Sequence, residues 1–416
     1  MGMWMTMNHD EHRFDTAPVS VGKHAVPEEQ KRFGKFRERR VPRWIYRVTA
    51  ILALSTVAVL CWFNRTNLAP ENVLQWVQNN VVGMGVGDGF PKSFSGSVVA
   101  PKNFFVIDKK LILASDTAVE VCNSTGKDLM NRQHSYGSPV ICAAGPRVLI
   151  YNLGGKSCEI STIGGKSEKR DLKQNILGGA LASNGNCALI SGADGYCGML
   201  TSYNLSGQVL SYYWFSDYYP TAIALSPDGT KAAVAGVSAK EGSLSSAVYV
   251  ISLDSGKTAV PAAVCSGNLL NSIFWETDGS VMAVGDAGAV FLNPANGAKI
   301  DYSFNGASLM VCCADGDRLA LGLAPYEGAA NQKFLLLGKD GTVKFTKQYA
   351  GKIRSISLFG QTAAILVEGK VFFESLSGEG TPATGSAGSD ASAVALRDEN
   401  AAYVLGISEV RLVNRS

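Results

Sequence analysis

The chain has 416 residues, 46% of them hydrophobic and 18% charged, with 45 glycines, 14 prolines and a formal net charge of +3. An ordinary apolar fraction and so small a net charge exclude global disorder. The length holds one large domain with extras or two ordinary ones, and the glycine excess favours many short strands and turns. Ten Lys/Arg and six Asp/Glu precede residue 48, so the rest of the chain is within one charge of neutral. It has no whole-domain field for nucleic acid.

In chain order, residues 1–43 read as a disordered basic tail, without steady hydrophobic periodicity. Val48 to Phe63, VTAILALSTVAVLCWF, carries no charge. Taken from Trp44, the apolar stretch is about 30 Å long as a helix, one hydrocarbon thickness. Trp44 and Tyr46 at one end, and Trp62 and Phe63 at the other, suit the two interfaces. Residues 44–63 are therefore expected to form one transmembrane helix. Lys31, Arg32, Lys35, Arg37, Arg39, Arg40 and Arg43 precede it and Arg47 lies in its first turn, before the uncharged core; Arg65 follows, and the next basic residue is Lys92. The positive-inside rule then places the N-terminus in the cytoplasm and the rest outside the plasma membrane. A cleaved signal peptide is the competing reading; the long segment before the apolar stretch and the lack of a small-x-small site after Phe63 argue against it. The basic tail would touch anionic lipid headgroups. KRFGKFRERR, with Phe33 and Phe36 between the charges, also reads as a dock for a cytoplasmic partner. Residues 64–94 form a neck. Pro70 and Glu71 suit a helix N-terminus, and Val73, Leu74, Val77 and Val81 recur at helical spacing. Gly83, Gly85, Gly87 and Gly89 end that helix.

From residue 95 to 416 the chain repeats a four-strand unit. Apolar opening strands recur at Phe104-Phe105-Val106, Val140-Ile141-Cys142, Gly179-Ala180-Leu181, Ala222-Ile223-Ala224, Ser272-Ile273-Phe274, Leu309-Met310-Val311, Ser355-Ile356-Ser357 and Ala393-Val394-Ala395. That period is the blade spacing of propellers. First hairpins carry Ser183-Asn184-Gly185, Ser226-Pro227-Asp228-Gly229, Thr277-Asp278-Gly279 and Ala314-Asp315-Gly316, which supply the positive φ of tight turns. Later turns carry Ser124-Thr125-Gly126, Ser206-Gly207, Asp254-Ser255-Gly256, Asn296-Gly297 and Asp340-Gly341. The fold class is all-β, a β-propeller of eight blades; seven is the alternative, because Thr381 to Asp390 is Gly/Ser/Ala/Thr-rich. The last blade is short, and Gly96-Ser97-Val98-Val99-Ala100 is expected to supply its outer strand and leave no open edge.

Gly87-Asp88-Gly89-Phe90-Pro91, the stretch FSDYYPTAIALSPDGTKAAVAGVSAKEGSLSSAVYVISL from Phe215, and the closing AAYVLGISEVRLVN together resemble a particular family. It comprises single-pass, membrane-anchored extracytoplasmic β-propeller proteins of clostridia-type Gram-positive bacteria, catalogued as a domain of unknown function. The resemblance spans roughly residues 44–416. It implies fold and location and carries no activity or site residues.

The residues point to no catalytic, cofactor-binding or metal site. His9, His12 and His24 lie in the tail, leaving His134 alone for any histidine-dependent chemistry outside. No GxSxG, HExxH, P-loop or GxGxxG stands in a fitting context. Nine cysteines form no CxxC. Cys142, Cys187, Cys312 and Cys313 lie in apolar strands and read as small hydrophobes, with a Cys187–Cys197 disulfide as the minority reading. The adjacent pair Cys312-Cys313 resembles the vicinal cysteines that quinone-dependent propeller dehydrogenases can carry, but the Trp of their repeat turn is missing after Ser255-Gly256-Lys257-Thr258. Alternation puts the two thiols on opposite faces. The sequons at Asn64, Asn123 and Asn204 read as chance, the last two as turn composition.

A ligand face follows from topology. Loops between second and third strands share a side with the connections between blades. On that side lie two expected long loops, Ser238 to Ser246 and Ala324 to Gln332, and the entry to blade 4. They offer Asp217, Tyr218, Tyr219, Lys240, Glu241, Tyr326 and Glu327, a mixture suited to saccharide or peptide contacts. The rings of Tyr212 to Phe215 are expected to wedge between blades. The leading function is a non-enzymatic binding or scaffold module for an envelope protein, peptide or cell-wall glycan, with no cofactor. The alternatives are a transmembrane sensor acting through the tail and a propeller redox enzyme or lyase.

Overall fold

The computed structural model describes residues 44, 48–49, 51–52, 54–56, 86–240, 242–254, 260–377 and 382–415. The chain divides into two compact units, Met1–Trp62 and Phe63–Ser416. In the first, the described residues are helical, and Ser55 Oγ and Thr56 Oγ1 donate to the carbonyls of Ile51 and Leu52, each at 2.8 Å. Among the described residues no helix is long and apolar enough to cross a membrane. Most of the expected span, the basic tail and the neck helix lie outside the described residues.

The second unit is eight four-stranded antiparallel sheets. Blades 1 to 7 run Val99–Gln133, Pro139–Asp171, Ile176–Phe215, Tyr219–Ser266, Leu270–Ser303, Ser308–Ala350 and Ile353–Ser386. Blade 8 combines Ala393–Asn414 with an outer strand, Lys92–Ser93, from the start of the ring. The count is therefore eight, and the Gly/Ser/Ala/Thr-rich stretch supplies the four-residue outer strand of blade 7, Ala383–Ser386.

The first hairpins turn where the sequence places them. Gly185, Gly229, Gly279 and Gly316 hold φ of 91°, 66°, 86° and 56°, values that a side chain resists. Between turns, middle strands are buried on both faces, so alternation distributes each strand's side chains to two seams. Ala232 and Val234 pack toward blade 3, while Ala233 and Ala235 pack toward blade 5. Among the described residues eight apolar clusters arise in this way, one at each seam. Polar latches tie neighbouring inner strands: Thr221 Oγ1 donates to the Leu270 carbonyl at 2.7 Å, and the Asn103 amide donates to the Pro139 carbonyl at 2.8 Å.

Two expectations are corrected. The closing strand is not Gly96–Ala100: Lys92 and Ser93 pair with Val410 and Glu409, and Val99–Ile107 is the inner strand of blade 1. Packing fixes this choice, because Phe90 lies on Tyr403 (centroids 4.8 Å apart) and joins the blade 8–blade 1 cluster with Phe94. Ser238 to Ser246 is not a loop. The second and third strands of blade 4 continue as a ladder to Lys240↔Ser243, leaving two residues for the turn.

Candidate ligand face

Connections between blades and turns between second and third strands open on one side of the ring. Asp217 and Tyr219 stand exposed there at the entry to blade 4; Tyr219 is 62% exposed. Tyr326, 68% exposed, and Glu327 lie on the six-residue loop between Ala324 and Asn331 in blade 6. Tyr218 belongs to the core instead. It is 7% exposed, meets Tyr249 edge-on at 6.1 Å, and places its hydroxyl 3.4 Å from Ser245 Oγ. Gly236 permits that approach, since a Cβ there would lie 3.0 Å from Tyr218 Cβ. Glu241 and the Lys240 side chain lie outside the described residues. The face thus keeps Asp217, Tyr219, Tyr326 and Glu327. The two groups stand two blades apart, a quarter of the way round.

Sequence reasoning missed a second set on this side. Five inner strands carry a single-residue bulge near their first residue. A bulge re-aims the extra side chain, and Leu177, Thr221, Asn271, Met310 and Arg354 are exposed as a result. The signal was weak, because these residues follow no shared residue type.

The titratable groups elsewhere are mostly locked. His134 lines a cavity of about 10 Å³ with Arg132, Glu159 and Ser161 in the blade 1–blade 2 seam, room for about one water. Its Nδ1 accepts from the Tyr136 amide at 3.2 Å, and burial lowers its pKa. Burial pushes the thiols of Cys122, Cys142, Cys187 and Cys313 up to about 12, so they stay protonated and poorly nucleophilic. The eight described cysteines are free, Cys187 and Cys197 included. Cys312 packs in the blade 5–blade 6 seam and Cys313 in the next, on opposite faces as alternation requires. Glu276 is 1% exposed, with neither carboxylate oxygen hydrogen-bonded; burial, then Asp278 and Asp317, raise its pKa to about 7. Among the described residues no group of three or more His, Cys, Asp or Glu could hold a metal ion.

The outer strand of blade 3, Val209–Phe215, splits by face. Phe215 and Tyr213 wedge against Tyr249 of blade 4, with centroids 5.3 and 6.1 Å away. Tyr212 and Trp214 point the other way, 49% and 46% exposed, near-parallel at 5.8 Å, with Tyr196 6.4 Å from Trp214. The expected wedge therefore holds for two rings of the four.

These features define an all-β protein, an eight-bladed β-propeller with a loop face of exposed tyrosines and carboxylates. Residues 93–385 match the family of unknown function DUF5711, and the chain belongs to that family. No curated protein matches it. Among solved structures it is similar to the C-terminal WD40 domain of Sif2, at 12% identity and a TM-score of 0.51. That likeness covers 79% of this chain and all of that one. BamB from Moraxella catarrhalis matches at 12% identity with the same coverage and a TM-score of 0.47. At such identity the Sif2 likeness speaks to fold alone.

Proposed function

We propose that the chain is a membrane-anchored extracytoplasmic scaffold whose ring binds a protein or peptide of the cell envelope through its loop face. In this reading residues 1–43 are a basic cytoplasmic tail on anionic lipid, 44–63 span the plasma membrane, the neck runs from 64 up to the closing strand at Lys92, and the ring follows. The helical, exposed Trp44, Val48, Ile51, Leu52 and Leu54 support the span, as does the basic bias before it. One observation carries the binding role: exposed Tyr219 with Asp217, and exposed Tyr326 with Glu327, share a face but stand two blades apart. A small ligand would touch one group only, whereas a macromolecule laid across the ring would touch both. Exposed tyrosines suit such contacts, since a rigid ring loses little entropy on binding.

Photo-crosslinking residues placed at Tyr219 and at Tyr326 in intact cells test this. The same envelope polypeptide should be captured from both positions, and not from Asn296 on the opposite side. Equal capture from Asn296, or different partners from the two tyrosines, would reject the face. Protease added to sealed, right-side-out vesicles should degrade the ring; a protected ring would reject the topology.

A further inference from the structure

An outer strand leaves one row of backbone N–H and C=O groups unpaired, and proteins guard such edges with charge, brevity or cover. The propeller guards its outer strands in these ways with one exception. Asp128–Gln133, Ser167–Asp171, Ala298–Ser303 and Val343–Ala350 carry charged residues. Lys92–Ser93 and Ala383–Ser386 are short. Pro261–Ser266 is uncharged, but it begins with proline and Lys299 Nζ donates to the Val264 carbonyl at 3.0 Å. Val209–Phe215 has seven residues without a charge or a proline, and among the described residues no strand pairs its outer side.

The free edge has a defined register. Ser211 exchanges hydrogen bonds with Ser202 Oγ, its amide at 3.1 Å and its carbonyl at 3.4 Å, so its backbone turns inward. By alternation Tyr212 and Trp214 turn their N–H and C=O groups outward. Leu210 falls at a register shift and leaves the regular ladder. A two-fold axis through Tyr213 would therefore set Tyr212 opposite Trp214 of a second copy, twice. Each pair would exchange two backbone hydrogen bonds. The half-exposed rings would fall on one face, the cross-strand aromatic pairing that stabilises antiparallel sheets. No like charges meet, because the strand has none.

We propose that Val209–Phe215 is a self-association edge, on which a second copy of this chain pairs antiparallel to join two blade 3 sheets into one. This is independent of the partner on the loop face.

The test uses the full chain in its membrane. Copies carrying Tyr212→Cys, co-produced with copies carrying Trp214→Cys, should give an oxidant-induced dimer well above that from Gln348→Cys on the outer strand of blade 6. Tyr212→Lys, which sets an ammonium on each side of the axis, should weaken the dimer at least about tenfold in sedimentation of the detergent-solubilised chain. At a dilution where both chains are monomeric, its melting temperature should stay at the wild-type value. A monomeric wild type at tens of micromolar overturns the proposal. So does crosslinking no stronger than Gln348→Cys, or a dimer indifferent to Tyr212→Lys. Crosslinking of Tyr212→Cys to a different polypeptide, or protection of the rings by soluble cell-wall glycan without dimerisation, gives the edge to another occupant and overturns it as well.

Discussion

Blades 3 and 8 solve the problem of the outer edge in opposite ways. Blade 8 takes its outer strand from the other end of the ring and pairs only two residues of it. Its hold comes from side chains: Phe90 on Tyr403, and Lys92, whose ammonium meets Asp128 of blade 1 at 3.1 Å. Within blade 8, Arg411 grips Asp390 through both terminal nitrogens at 2.7 and 2.6 Å while its Nε reaches Glu409 at 2.8 Å. Blade 3 is built from consecutive chain and pairs fully within itself, and among the described residues no strand covers its seven-residue edge. The comparison separates two duties that an outer strand can have. In blade 8 it completes the core. In blade 3 only one face serves the core, through Tyr213 and Phe215, and the other face is spare.

The sharpest test lies within blade 3 itself. Phe215→Ala should cost about 3–5 kcal/mol in chemical denaturation, because the ring is fully buried against blade 4. A loss below about 1 kcal/mol would mean that the outer strand does not serve the core. Phe90→Ala should cost about 2 kcal/mol, since the ring is half-buried on Tyr403. If stability were unchanged, closure would rest on the two-residue strand alone.

Arg411→Ala should cost about 1 kcal/mol at pH 7, the pair being partly exposed. The effect should depend on pH. Hydrogen bonds from Arg411, then from the Ile407 amide, hold the Asp390 carboxyl well below its usual range. A depressed carboxylate contributes stability that is present above its unfolded value, near 4, and lost as pH falls through the folded value. The gap between the denaturation curves of wild type and variant should therefore begin to close below about pH 4 and keep closing as pH falls further; a constant gap would assign the effect to packing. Last, Trp214→Ser should change stability by less than about 0.5 kcal/mol, despite removing the neighbour of Phe215. A larger loss would show that the exposed face also holds the blade together.

Much of this architecture could be read before the structure. Asn184-Gly185, Asp228-Gly229, Asp278-Gly279 and Asp315-Gly316 mark their turns because tight hairpins demand left-handed backbone that few other residues adopt. The face could also be read, because strand order fixes which turns share a side. What failed was local and depended on tertiary contacts. A two-residue strand at Lys92–Ser93 has no period to detect, while Val98-Val99 looks more like a strand. Serines and alanines from Ser238 to Ser246 resemble a loop, and only pairing along the whole blade extends them into a ladder. Tyr218 follows the outer strand of blade 3 and so falls among the candidates for the ligand face, yet Gly236 leaves a space that admits it beside Tyr249.

The pairing of Lys92 with Val410 has a consequence for the order of assembly. The segment that completes the circle is made first, and its mate is made almost last. Seven sheets can mature as the polypeptide emerges, but the circle cannot shut until synthesis is nearly over. A premature stop that removes only Glu409 onward would leave the first-made segment without a place to dock. Such a small loss should be read by quality-control proteases as a failure of the entire circle, not of its final sheet.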